Sequence, residues 1–265
     1  MQNTLTLYSP QNAYPETYII LLPGLATNTH IDPLMQLISY WALTHKYNLF
    51  HINTFINIPH KQIFPESIRA QNWQEYINAI NYAFSIIQQT TQRNGYKCAI
   101  GHSAGANGLI SALNQNTHQN IKNDLSSVML FAPFVTGAWF KTLIEFSKNN
   151  HPSETNPDII YIYNLFNNIP GTKFVVPENF FKELTDQPFE PEIMNKWDIK
   201  TTLIAGEYDK KAPIEDLRQK CATLKSMSNG HNFKFVEIPR TKHNFLNLKN
   251  NKLSILELLK SQRQK

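Results

Sequence analysis

Five residues constrain this chain more than any others: Gly101-His102-Ser103-Ala104-Gly105. A glycine two places before and two places after one serine is the pattern of a sharp, strained turn between a strand and a helix, a nucleophile elbow. The turn has a chemical purpose. A serine hydroxyl is a weak nucleophile until it stands exposed beside a base. The flanking glycines let strand, turn and helix approach without a Cβ clash. Only nine glycines occur in 265 residues, so two of them bracketing one serine is a specific signal. The neighbours fit the turn. Tyr96 to Ile100 is short and mostly apolar, as a buried strand is. After the motif, Leu109, Ile110 and Leu113 fall at helical spacing.

The rest of the chain repeats that strand-then-helix rhythm. Tyr18 to Leu22 is a continuous apolar run closed by Pro23-Gly24, which predicts a buried strand ending in a turn. Asp32-Pro33 opens a helix with Leu34, Leu37, Ile38, Trp41 and Ala42 on one face. Tyr47 to Ile52 is the next strand. A second helix is expected to start at Pro65-Glu66-Ser67, with Trp73, Tyr76, Ile77, Ile80, Phe84 and Ile87 as its core stripe. Ser127 to Phe131, Thr202 to Ala205 and Phe233 to Ile238 read as further strands, and Lys252 to Leu259 as the last helix. Such alternation predicts an α/β fold: a mostly parallel central sheet with helices on both faces. Residues 134–197 interrupt it. They exceed any simple crossover and are rich in rings, among them Phe134, Trp139, Phe140, Phe180, Phe189 and Trp197. An insertion of that size is expected to be a cap or lid over a site, with residues 1–133 and 198–265 forming the core. Each ring taken singly is expected to hold the cap together.

Composition excludes several classes. The hydrophobic fraction of 42% supports a sizeable core. The formal charge is +5, but no Lys/Arg run exceeds Lys210-Lys211, so no nucleic-acid patch is expected. Nothing approaches 18 consecutive apolar residues, so no transmembrane span is expected. The residues from Met1 to Tyr8 have neither a basic region nor a long apolar run, so no signal peptide is read there. The two cysteines, Cys98 and Cys221, are expected to be reduced thiols, which places the chain in the cytoplasm. Oligomeric state is left open.

A serine nucleophile needs a base and a group that orients the base. Nine histidines are present, and position selects among them. His243 follows the strand that ends at Ile238, so it stands at the carboxyl edge of a parallel sheet, where ligands bind. His102 neighbours the serine on a sharp turn and points elsewhere; it is read as packing. The other seven lie in loops or on element faces, with no spacing that would hold a metal. Asp209 follows the strand that ends at Ala205, at the same edge, and is taken as the acid; Glu207 is its competitor. Asp198 precedes that strand, at the wrong edge.

The order Ser103, Asp209, His243 resembles that of the α/β-hydrolases, and the chain looks like a serine esterase, lipase or lysophospholipase of that superfamily. Four segments carry the resemblance, which runs from Tyr18 to about Leu259: Leu22-Pro23-Gly24-Leu25, the elbow, Gly206-Glu207-Tyr208-Asp209 and Lys242-His243-Asn244-Phe245. It implies an oxyanion hole built from the backbone N–H groups of Ala104 and Leu25. The chain departs from the family at Pro23-Gly24, where many members have His-Gly; a backbone donor survives that change. The resemblance implies hydrolysis of a carboxylic ester, with an apolar acyl group preferred, through an acyl-enzyme and without cofactor or metal. A small-molecule ester or a lipid-like substrate is the partner expected. Thioester, peptide and carbon–carbon bond hydrolysis use the same triad. A hydrolase-fold binding protein with little turnover is the alternative of another class.

Overall fold

The computed structural model describes residues 4–25, 32–53, 72–91, 95–115, 119–136, 139, 141–142, 144–145, 149, 159–163, 173–186, 189–227, 230–245 and 248–261. The described strands are β1 (Thr4–Tyr8), β2 (Thr17–Leu22), β3 (Asn48–Asn53), β4 (Tyr96–His102), β5 (Ser127–Phe131), β6 (Ile159–Tyr163), β7 (Lys173–Pro177), β8 (Lys200–Gly206) and β9 (Phe233–Ile238). The described helices are α1 (Pro33–Thr44), α2 (Trp73–Thr90), α3 (Ala104–Asn114), α4 (Gln119–Asp124), α5 (Glu178–Asp186), α6 (Pro191–Met194), α7 (Ile214–Ser226) and α8 (Leu248–Ser261).

Seven strands form one sheet in the order β1-β3-β2-β4-β5-β8-β9. Only β1 runs antiparallel, against β3. The chain winds one way from β2 to β3 and then returns past β2 to β4, so the winding reverses between β2 and β4. Open α/β sheets bind ligands at such a reversal. Burial explains the apolar runs: β2 and β4 are covered on both faces, so nearly every residue in them is buried. Ile19, Cys98 and Met129 line one small cavity together with Trp41 of α1 and Leu259 of α8, which puts those two helices on the same face of the sheet. Gly101 faces the other way from Cys98, and a Cβ there would lie 2.6 Å from Ala106 Cα. Helix α3 therefore covers the opposite face.

Local signals set two helix starts. Asp32 caps α1: its Oδ1 accepts from the N–H groups of Leu34 (2.9 Å) and Met35 (3.2 Å), with Pro33 in the first turn. Such a cap contributes about 1 kcal/mol. Asn72 caps α2 by accepting from the Glu75 N–H at 2.8 Å. That cap corrects the expected start at Pro65: Asn72 has extended backbone, so the helix begins at Trp73, and Pro65-Glu66-Ser67 lies outside the described residues. The core stripe stands, with Trp73, Tyr76, Ile77, Ile80, Phe84 and Ile87 all buried. β1 is an addition. Its Thr-Leu-Thr-Leu-Tyr alternation is a strand pattern, but an edge strand has only one neighbour and needs no long apolar run. Cys98 and Cys221 are both free and buried. Burial pushes the Cys98 thiol up to about 11 and Cys221 up to about 12, so both stay protonated near neutrality.

Between β5 and β8 the described residues hold an antiparallel pair, β6 and β7, followed by α5 and α6. This stretch is tied to α2 and α3. Phe180 packs edge-on to Trp73 with ring centroids 5.4 Å apart. Glu183 Oε2 accepts from the Trp73 N–H at 2.7 Å. Trp197 Nε1 donates to Asn114 Oδ1 at 3.1 Å. Among the described residues no helix is long and apolar enough to cross a membrane.

Candidate active site

Ser103 sits between β4 and α3 with φ 55° and ψ −124°. A non-glycine residue there stores about 1–3 kcal/mol of strain, which the surroundings must hold. The Ser103 N–H donates to Phe131 O at 2.8 Å, and Ser103 O accepts from Ala106 and Asn107. A Cβ on Gly105 would strike the carbonyl oxygen of Leu22 and lie 2.5 Å from that of Pro23. A Cβ on Gly101 would strike α3. The two motif glycines thus hold the turn in contact with the end of β2 and with its own helix. Gly105→Ala is expected to lower unfolding stability by about 3 kcal/mol in urea denaturation, because the obstacle is rigid backbone.

Three of the residues selected from sequence form one hydrogen-bonded chain. His243 Nε2 lies 2.8 Å from Ser103 Oγ, and His243 Nδ1 lies 2.8 Å from Asp209 Oδ2. Asp209 Oδ1 accepts from the N–H groups of Lys211 (2.8 Å) and Ala212 (3.0 Å). Both oxygens of the carboxylate are therefore engaged, and it cannot rotate away from the ring. All three residues are buried. Glu207 goes elsewhere: it is exposed, and its Oε2 accepts from the Arg240 N–H at 2.6 Å.

The loops carrying Asp209 and His243 are braided together. Tyr208 N–H donates to Thr241 O (2.8 Å), and Glu207 N–H donates to Ile238 O (3.1 Å). A Cβ on Gly206 would lie 2.5 Å from Thr241 O. Asn251 of α8 donates from Nδ2 to Pro239 O and to Thr241 Oγ1. Glu207 thus ties one loop to the other, and sequence spacing alone could not separate its place from that of Asp209.

Burial lowers the pKa of His243 below the ordinary histidine value of 6.5, against the hydrogen bond and charge of Asp209, which raise it. Positive charge on His102 and Lys211 lowers it further. Phe134 stacks on the His243 ring with centroids 5.4 Å apart, and Trp139 stacks on Phe134 at 5.9 Å. Lys211 Nζ stands 4.9 Å from the centre of Trp139. Asn107 holds this wall by exchanging two hydrogen bonds, both 2.8 Å, with the backbone of Phe134.

Ala104 is the first residue of α3 and fully buried. Leu25 follows Gly24, where a Cβ would lie 3.2 Å from Ser103 Cβ. Among the described residues, neither the Leu25 nor the Ala104 N–H has a backbone acceptor. No group of three or more His, Cys, Asp and Glu side chains that could hold a metal ion occurs among the described residues.

One expectation is corrected. His102 is more than packing. Its Nδ1 lies 2.7 Å from Asp32 Oδ2, and its Nε2 lies 3.0 Å from the carbonyl oxygen of His243. Asp32 reads in sequence as a helix cap alone, and its partner lies 70 residues away; no local pattern announces the pair. Of the other histidines, His45 bonds Trp41 O, His51 bonds Ser39, and His231 is exposed. His30, His60, His118 and His151 lie outside the described residues.

Comparison with solved structures finds whole-chain similarity at low identity. Est1E from Butyrivibrio proteoclasticus, solved with ferulic acid bound, is similar over 99% of this chain and 96% of its own, with a TM-score of 0.66 at 13% identity. A monoacylglycerol lipase from Paleococcus ferrophilus is similar over 99% and 100%, with a TM-score of 0.64 at 14% identity. The Pyrococcus furiosus esterase Pf2001 is similar over 98% and 89%, with a TM-score of 0.64 at 12% identity. No protein-family model and no curated protein matches the chain. At these identities the likeness speaks for the fold.

Proposed function

We propose that this chain, which has the α/β-hydrolase fold, is a serine hydrolase that cleaves a carboxylic ester through an acyl-enzyme. The observation that carries the reading is the chain Ser103 Oγ–His243 Nε2 and His243 Nδ1–Asp209, with both links at 2.8 Å. Its serine stands in a strained elbow at the sheet's reversal point. Ester and lipid-ester hydrolases among the structural neighbours agree with it.

The proposed reaction uses each of these groups in turn. His243 Nε2 takes the Ser103 proton as Oγ attacks the carbonyl carbon. Asp209 keeps the Nδ1 proton in place and stabilises the imidazolium that forms. The N–H groups of Leu25 and Ala104 receive the oxyanion, each worth ~3 kcal/mol in the transition state. The tetrahedral intermediate collapses, and His243 returns the proton to the departing alkoxide. Water then attacks the acyl-enzyme with His243 again as base; the acyl–Oγ bond breaks, His243 returns the proton to Ser103 Oγ, and the carboxylic acid leaves.

The aromatic wall of Phe134 and Trp139 beside the base favours an apolar acyl group. Residues 134–197 act as the cap over this site, and the core is 1–133 with 198–265. Because His243 must be neutral to accept the proton, kcat/KM should fall only as pH drops through a value below the ordinary histidine 6.5. A pH–rate profile checks that; an acid limb above 6.5 contradicts the assignment of the base.

The test of the activity is covalent capture. A fluorophosphonate probe should add once to the full chain, at the peptide containing Ser103. A folded protein that takes no probe sinks the reading in favour of a binding protein. A chain-length series of p-nitrophenyl esters, run beside thioesters and peptide amides, then tests the bond class. Faster turnover of thioester or amide replaces the ester.

A further inference from the structure

Behind the base lies a second carboxylate–histidine pair that the proposed chemistry does not use. His102 ends β4, next to Ser103, and is buried. Its Nε2 faces the carbonyl oxygen of His243, which can only accept, so Nε2 carries a proton. Its Nδ1 faces Asp32 Oδ2. Asp32 Oδ1 already accepts two backbone N–H groups, a setting that favours the ionised carboxylate. A carboxylate also only accepts, so Nδ1 carries a proton too. The ring therefore has two acceptors and two protons: it is an imidazolium.

His243 differs. Its Nδ1 donates to Asp209, while its Nε2 faces a hydroxyl that can donate as well as accept, so this ring, unlike His102, keeps every hydrogen bond when neutral. The two rings are 5.5 Å apart between centroids. We infer that Asp32 and His102 are a positioning pair for the base: a buried carboxylate–imidazolium pair that fixes the His243 carbonyl and places a standing positive charge behind its ring. The inference rests on the reading of His243 as the base.

Two effects follow. The first is geometric. The His243 carbonyl is tied to the end of β4, the strand that presents Ser103, so nucleophile and base share one anchor. The second is electrostatic. A second positive charge beside His102 is costly, so protonation of His243 is resisted. The shifts agree in direction: Asp32 is lowered and His102 raised by their mutual attraction, although burial opposes both. Among the described residues the charged and titratable groups facing these rings are Asp32 from the start of α1, Asp209 and Lys211 from the loop after β8, and the two histidines themselves.

Asp32→Asn separates charge from shape. Asparagine still caps α1 through Oδ1. Its Nδ2 can donate to His102 Nδ1, and His102 then stays neutral while Nε2–H still donates to the His243 carbonyl. The carboxylate is lost with the cation, but His102 is the member that touches His243, so the nearer charge governs and His243 protonates more readily. The decline of kcat/KM between pH 8 and pH 5.5 should deepen by about fivefold to tenfold relative to the parent chain. A decline unchanged within about 1.5-fold overturns the electrostatic role. His102→Phe removes the carbonyl tether as well and should lower kcat at pH 8 by about tenfold or more, given the sensitivity of rate to small misplacement. A plateau equal to that of Asp32→Asn overturns the positional role.

A readout that needs no substrate stands beside these. In ring-nitrogen NMR of the full chain, assigned with His102→Phe and His243→Ala, His102 should be doubly protonated at pH 7 and His243 neutral. In Asp32→Asn, His102 should become neutral. A neutral His102 in the parent chain refutes the pair even if esters are cleaved, and a charged one supports it even if they are not.

Discussion

Ser103→Ala should reduce turnover of a reactive p-nitrophenyl ester by about 10⁶-fold, to the residual rate left by binding and the oxyanion donors alone. Fluorophosphonate labelling should vanish with it. Fold and stability should not suffer. Ser103 Oγ makes its hydrogen bond to His243, but the turn itself is held by backbone: the Ser103 N–H on Phe131 O and the packing around Gly101 and Gly105. Alanine at φ 55° is strained as serine is. The thermal unfolding of the variant therefore serves as the control. If Ser103→Ala is well folded and keeps more than about one hundredth of the parent rate, another residue attacks the substrate and the elbow is not the reacting group.

Asp209→Asn is expected to lower kcat by about 10⁴-fold with little change in KM. The reason is a proton in the wrong place. The new amide can keep the bonds from the Lys211 and Ala212 N–H groups through its oxygen. Its NH₂ group would then point at His243 Nδ1 and donate to it. That fixes the His243 proton on Nε2, the atom that must accept from Ser103. Loss of the carboxylate also removes the charge that stabilises the imidazolium during attack. Glu207→Gln is the companion measurement. Glu207 is exposed and bonds the Arg240 N–H, which a glutamine oxygen can do as well, so kcat should change by less than about threefold. A larger loss at Glu207 than at Asp209 reverses the assignment of the acid.

The elements legible in the sequence are those whose neighbours along the chain supply their signal. The strands at Ser127–Phe131 and Phe233–Ile238 have the expected bounds. Helix α1 starts where Asp32-Pro33 announces it. The start of α2 is harder to read because Pro65-Glu66-Ser67 and Asn72 are both sound caps in isolation, and only the backbone at Asn72 chooses between them. β1 escapes a search for apolar runs because a five-residue edge strand needs none. His102 reads as packing because both of its partners are remote, Asp32 by 70 residues and His243 by 141. Glu207 and Asp209 lie two residues apart, and spacing can rank them but not separate their jobs.

By itself the sequence determined the turn around Ser103. Glycine at 101 and 105 is a demand of local geometry, and a local demand is written in adjacent residues. It determined the alternation of elements as well, since hydrophobic period is also local. Only the tertiary structure decided which carboxylate meets His243 and what stands behind that ring. A hydrogen bond needs its partners placed within a few tenths of an ångström, and here that placement comes from strands β4, β8 and β9 meeting at one edge of the sheet. The setting of His102 is of this second kind: two partners from distant parts of the chain, Asp32 and the His243 carbonyl, converge on one ring.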